Sequence, residues 1–159
     1  MRHQVLKTTP ATSTRMARVH LKHGISETRL AKALWHRGFR YRLNYRRLPG
    51  SPDIAITKYK IAIFVDGEFW HGFDWIHRRE KLKTNRDYWI AKIEENIARD
   101  ARNDRRLRAL GWLPIHFWER DVKADLTGCV ETICDTVQEQ IIALHDESLS
   151  SMPDDEGSS

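Results

Sequence analysis

The chain has 159 residues, 40% of them hydrophobic and 31% charged, long enough to bury a core without disulfide or metal staples. It holds no stretch of about 18 uncharged apolar residues, which argues against a membrane span, and residues 1–20 lack the apolar segment of a secretory signal. The net charge of +5 conceals an asymmetry: residues 1–48 carry twelve Lys or Arg against one acid, Glu27, and residues 119–159 carry two bases against eleven acids. A basic half of this size suits a polyanion, because neutralised phosphates release condensed counterions. Nucleic acid is the expected partner and no membrane is implied.

In chain order, residues 1–24 are basic, rich in Ser and Thr and without periodicity, as expected of a mobile arm. "SETRLAKALWHRGF" reads as a helix with Ser26 as N-cap, Glu27 in its first turn and Gly38 just past its end. "FRYRLNYRR" alternates apolar and basic residues, the pattern of a half-buried strand. "LPGSP" is a turn, and "DIAIT" and "KIAIFV" are short strands separated by "KYK", as in a hairpin. "IHRREKLKTNRD" reads as a surface loop. The next segment, from about Asp87 to Leu110, has helical periodicity with Ile90, Ile93, Ile97 and Ala101 on one face and Gly111 as its stop. The arginines of its other face pair at i,i+4 with Glu95 and Asp104. "WLPIHFWE" is a strand and Leu126–Leu144 an amphipathic helix. Cys129 and Cys134 fall on different faces of that helix and suit neither a bridge nor a shared metal, so a reducing, cytoplasmic setting is expected. Residues 147–159 form an acidic tail expected to be disordered. Helix, three strands, helix, strand, helix makes an α/β fold with helices flanking a central mixed sheet.

The chemistry concentrates at residues 51–75, "SPDIAITKYKIAIFVDGEFWHGFDW". Asp53 opens one strand, and Asp66, Glu68 and His71 follow the end of its neighbour. Adjacent strands sit about 4.8 Å apart, so these side chains meet at one edge. Converging carboxylates are unfavourable without a cation, and hard oxygen donors suit Mg²⁺ or Mn²⁺ and phosphate chemistry. A histidine beside them moves protons near neutral pH. Taken singly, an Asp after Pro is more often a turn residue, and Phe69 and Trp70 more often core plugs; the collection beside a basic half favours a site.

The stretches "GISETRLAKALWHRGFRYRL", "RRLPGSPDIAI", "IAIFVDGEFWHGFDW" and "KIEENIARDARNDRRLRALGWLPIHFWE" resemble, in the same order, the very short patch repair (Vsr) endonucleases within the restriction-endonuclease-like superfamily. The likeness runs from about Arg15 to Glu119. It implies a restriction-endonuclease-like three-layer sandwich over residues 25–146 and Mg²⁺-dependent hydrolysis of double-stranded DNA, with Mn²⁺ able to substitute. By matching position Asp53 is the metal ligand, His71 acts on the attacking water or the phosphate, and Glu27 supports the site. Phe69 and Trp70 become a wedge beside a mismatched base, with Met16 of the arm on the other side of the duplex.

Two departures qualify the resemblance. The mismatch-repair members carry His where this chain has Asp66 and Cys where it has Glu68. They also hold a structural zinc through Cys and His near "FWH" and after "WE", where this chain has "HGFDWIHRRE" and Arg120. Without a thiol there, a structural zinc is not expected, and Phe73, Trp75 and Ile76 are the candidates to support the loop. Asp66 then becomes a second metal ligand beside Asp53, with the main-chain carbonyl of Val65; Glu68, past Gly67, is the weaker candidate. The chain is thus expected to be a DNA endonuclease that nicks beside a T:G mismatch, the alternatives being a restriction-type or mobile-element endonuclease and an inactive DNA-binding module.

Overall fold

The computed structural model describes residues 24–68 and 71–151. Helix α1 covers residues 24–36. It is followed by β1 (Arg42–Leu43), β2 (Ile54–Ile56), β3 (Ile61–Asp66), α2 (Trp75–Lys81), α3 (Arg86–Ala109), β4 (Leu113–Trp118), α4 (Glu119–Ala124) and α5 (Leu126–Ser150). The strands form one sheet in the order β1-β2-β3-β4. β2 is antiparallel to β1 and to β3, in the register Ile54↔Ile63 and Ile56↔Ile61. β4 returns parallel to β3, with Phe64 opposite His116 and Asp66 opposite Trp118. A parallel return needs a crossover, and α3 provides it.

Alternation along β3 divides the molecule. Ile61, Ile63 and Val65 point to one face, where they pack with Leu30 and Leu34 of α1 and with Val130, Ile133 and Val137 of α5. Ala62 and Phe64 point to the other, against Leu107 of α3. Helices on both faces of a mixed sheet give the three-layer α/β arrangement the residue pattern implies. All six β3 residues are buried, and each large aliphatic side chain removed from water contributes about 1.5–3 kcal/mol.

Both anticipated glycine stops occur. At the end of α1 the Phe39 N–H donates to the Leu34 carbonyl and Gly38 (φ 90°) donates to Trp35; at the end of α3 Trp112 donates to Leu107 and Gly111 (φ 82°) to Arg108. Each pair is a Schellman motif, which requires the left-handed backbone that glycine adopts without strain.

Several local expectations are corrected. Ser26 is not a cap: α1 is already under way at residue 24, and Ser26 is buried with its Oγ unpartnered among the described residues. The alternating segment 39–47 is regular strand only over Arg42–Leu43, both exposed; Asn44 then turns into a left-handed conformation (φ 46°), although the N–H groups of Asn44 and Tyr45 still donate to the Asp53 and Pro52 carbonyls. The presumed loop 76–87 contains most of α2, which ends on basic residues favourable to its dipole. Ala101 is exposed, and the buried stripe of α3 runs instead through Ile93, Asn96 and Leu107. α5 continues to Ser150, so the start of the acidic tail is helical. Among the described residues no helix is long and apolar enough to cross a membrane.

Candidate active site

The C-terminal ends of β3 and β4 meet the middle of α3 around a cavity of about 370 Å³. Gly50, Ser51, Phe64, Asp66, His71, Arg99, Asp100, Asn103, Asp104 and His116 line it. The alternation that sends Val65 into the core sends Asp66 to the α3 side, and on β4 it sends His116 there between the inward-packed Ile115 and Phe117. From α3, Asp100 and Asp104 are one turn apart and reach the same space.

These side chains form a row of alternating carboxylates and imidazoles. His71 Nδ1 lies 2.6 Å from Asp100 Oδ2 and 3.8 Å from Asp66 Oδ1. On the other side of Asp66, its Oδ2 accepts from His116 Nδ1 at 2.7 Å, and His116 Nε2 donates to Asp104 at 2.8 Å. Ionised carboxylates only accept, so facing one at each ring nitrogen requires both nitrogens of His116 to carry hydrogen. Burial pushes the pKa of this ring down, but the hydrogen bond and charge of Asp66, and then those of Asp104, outweigh it and lift the value to about 9. The imidazolium also stacks on Phe64, with ring centroids 4.7 Å apart and planes 9° from parallel. Asp66, 8% exposed, is therefore a buried carboxylate with a fixed cation, as burial of a charge demands.

His71 differs because Asp100 engages it at Nδ1. In the neutral ring, an Nδ1–H donated to Asp100 places the lone pair on Nε2. Arg99 adds a cation to the cavity lining.

Asp53 sits just before β2, and its Oδ2 accepts from the Val65 main-chain N–H at 2.7 Å, immediately before Asp66 in the chain. Asp53 and Asp66 thus flank one peptide segment, although Asp53 does not line the cavity itself. Glu27 lies half-buried in the first turns of α1 and does not line the cavity either; the cavity is on the α3 side of the sheet and α1 packs on the opposite side. Glu68 turns away to accept from the Arg120 main-chain N–H at 2.9 Å. Glu119 is buried and paired with Lys123 at 3.1 Å. Phe69, Trp70 and Met16 lie outside the described residues.

Asp53, Asp66 and the Val65 main-chain carbonyl would offer oxygen throughout, the donor chemistry that suits a hard divalent cation. Among the described residues no group of three or more His, Cys, Asp or Glu side chains is arranged to hold a metal. The loop after His71 is braced by aromatic packing: Phe73 meets Trp118 edge-on at 5.2 Å, and the Arg120 guanidinium lies 4.7 Å from the Phe73 ring centre. Trp75 Nε1 reaches Glu94 at 3.4 Å. Ile76 takes no part, being 80% exposed.

Sequence reasoning missed His116, Asp100 and Asp104. The first had a readable signal, since it is a polar residue on the same face as Trp118 in a strand of period two. Asp100 and Asp104 continue the helical stripe of Ile93, Asn96 and Leu107, which a search for apolar residues passes over. Asp104 was expected to pair with arginines of its own helix; it turns to His116 instead.

The family profile for the DNA mismatch endonuclease Vsr matches residues 6–77. The type II nicking enzyme V.NmeDIP of Neisseria meningitidis serogroup C is 48% identical over 114 residues, 72% of this chain and 77% of the relative. This chain belongs to the Vsr endonuclease family. The type II nicking enzyme V.HpaIIP of Haemophilus parainfluenzae is 51% identical over 96 residues, covering 60% and 68% of the two chains. The DNA mismatch endonuclease Vsr of Escherichia coli K12 is 38% identical over 96 residues, covering 58% and 59%. The protein is accordingly a DNA endonuclease, hydrolysing phosphodiester bonds, and the cavity at the ends of β3 and β4 is the candidate place for that chemistry in this Vsr-family member.

Proposed function

We propose that this endonuclease nicks double-stranded DNA in a Mg²⁺-dependent reaction directed by a T:G mismatch. The observation that carries the catalytic part is the His71–Asp100 pair in a cavity beside the segment bound by Asp53. Asp53, the Val65 carbonyl and Asp66 would hold the cation, which when bound supplies Lewis-acid stabilisation of charge on the phosphate. His71 takes the proton of the attacking water at Nε2, while Asp100 holds Nδ1–H and stabilises the ring as it becomes cationic. Arg99 faces the phosphate from α3 and offsets its charge. Glu27 supports the site from α1 through the field of its carboxylate. Phe69 and Trp70 act as the wedge at the mismatch, with Met16 in the basic arm of residues 1–24 completing the grip on the duplex.

The second reading is a nuclease on the same core that needs no mismatch, of restriction or mobile-element type. The observation favouring it is Asp66, which makes this site richer in carboxylate than the mismatch-repair pattern. An inactive DNA-binding module has little support, because binding alone requires neither a His71–Asp100 pair nor a buried carboxylate such as Asp66.

The test is cleavage of supercoiled plasmid and of matched and T:G-mismatched duplexes, with Mg²⁺ or EDTA, by wild type and Asp53→Ala. Metal-dependent nicking of the mismatched duplex, lost in Asp53→Ala, is the expected result. Equal cutting of matched and mismatched duplexes transfers support to the second reading. Tight binding without cutting under every condition would sink the catalytic assignment.

A further inference from the structure

Resting on the assignment of His71 just made, we propose that His116 is a positioning residue for DNA cleavage: it holds one oxygen of Asp66 so that the other faces His71. The ring cannot itself exchange a proton with substrate, since its two nitrogens are given to Asp66 and Asp104 at 2.7 and 2.8 Å. Its orientation is fixed three ways, by these two bonds and by the stack on Phe64. Phe64 is also its neighbour across the parallel β3–β4 pairing, so backbone register and side-chain stacking specify the same ring position.

The arrangement has a local two-part logic. Asp100 and Asp104, one helical turn apart on α3, each anchor one imidazole, and the two imidazoles lie on either side of Asp66. His116 takes Oδ2, which leaves Oδ1 as the oxygen on the His71 side, 3.8 Å from Nδ1. With His116 gone, Asp66 is a buried carboxylate lacking its main hydrogen-bond donor, and it turns to find another. His71 then loses the second of the two carboxylates facing Nδ1. Partners one step removed from the reacting group act in this way, by fixing its orientation rather than by touching substrate.

The experiment uses the full chain and five variants: His71→Ala, Asp66→Asn, His116→Phe, His116→Gln and the double variant Asp66→Asn with His116→Phe. Phe keeps the stack on Phe64 and removes both hydrogen bonds; Gln restores one donor toward Asp66. Single-turnover cleavage rate and DNA Kd are measured for each, and the His71 ring ¹⁵N–¹H signals are recorded with no divalent metal present. We expect His116→Phe to lower the cleavage rate about tenfold or more with Kd changed less than about twofold, and His116→Gln to recover part of the loss. The double variant should cleave no more slowly than Asp66→Asn, and the His71 signals should move alike in His116→Phe and Asp66→Asn. Wild-type cleavage by His116→Phe, multiplying losses in the double variant, or unmoved His71 signals each overturn the proposal. Wild-type cleavage by His71→Ala overturns the prior assignment of His71 and the proposal with it, a result distinct from the other three.

Discussion

The two faces of the central sheet are built from the same strands and do different work. Toward α1 and α5, β3 presents Ile61, Ile63 and Val65 to an aliphatic core that includes Ile133, fully buried. Toward α3 it presents Ala62, Phe64 and then Asp66, and the packing changes from apolar contact to a row of carboxylates and imidazoles. A one-residue slip in register would exchange the two sets, because strand side chains alternate with period two. The apolar face therefore holds the register that aims the polar one, and damage to either face should be separable by experiment.

His71→Ala on the polar face should lower cleavage by about 10²–10⁴-fold, the usual contribution of a positioned general base, with melting temperature little changed. Ile133→Ala on the apolar face should do the reverse. Emptying a fully buried aliphatic site destabilises by about 2–5 kcal/mol, so denaturant unfolding should shift strongly while the folded fraction cleaves near the wild-type rate. Loss of cleavage in folded Ile133→Ala, at a temperature where it remains native, would contradict the division of labour.

The apolar face was the legible one. The aliphatic runs of β2 and β3, the order of elements and the glycine stops of α1 and α3 follow from period and turn chemistry, which are local. That Asp66 and His71 come together was also readable, from charges at strand ends and likeness to a family; Asp53, expected beside them, lies outside the cavity lining and reaches the Val65 main-chain N–H instead. His116 and its partners were not readable, because their meaning is non-local: His116 is fifty residues beyond Asp66 along the chain, and only the parallel return through α3 brings them together. Asp100 and Asp104 sit in a helix full of exposed charge, where a solvated carboxylate and one turned into a cavity have the same sequence appearance. Ser26 illustrates the opposite error. Its type and neighbours make a cap motif, whereas the helix already runs at residue 24 and Ser26 is buried within it.

A milder contrast is available through pH. The folded His116 titrates near 9, above its ordinary value of 6.5. A raised pKa means that the folded state binds the proton more tightly, so the stabilisation is fully present below about pH 6.5 and is lost as pH rises through about 9. Solvent at the partly exposed ring screens the effect. Melting temperatures of wild type and His116→Phe, taken from pH 6 to pH 10, should therefore differ most at the acid end of that range and converge above pH 9. A gap that widens toward alkaline pH would contradict the sign. Ile133→Ala, on the opposite face of the sheet from His116, should run parallel to wild type between pH 6 and 9, the range in which His116 titrates.

The smallest effect is expected where an ion pair lies on the apolar side of the sheet but outside its core. Arg37, just after α1, is hydrogen-bonded to Glu131 of α5, with side chains 47% and 51% exposed. Chemically this resembles the His116–Asp66 contact, a cation against a carboxylate. Physically it differs, because water solvates both groups when they separate and the long side chains lose rotamer freedom when they meet. Exposed pairs of this kind contribute about 0–1 kcal/mol, so Arg37→Ala should leave the urea midpoint and cleavage nearly unchanged, with any small stability loss vanishing in added salt. His116→Phe should retain its cleavage defect at the same salt, since Asp66 is only 8% exposed and its partner is held on three sides. If salt erased both defects equally, burial would not be what distinguishes the two pairs, and the polar face would be an ordinary charged surface.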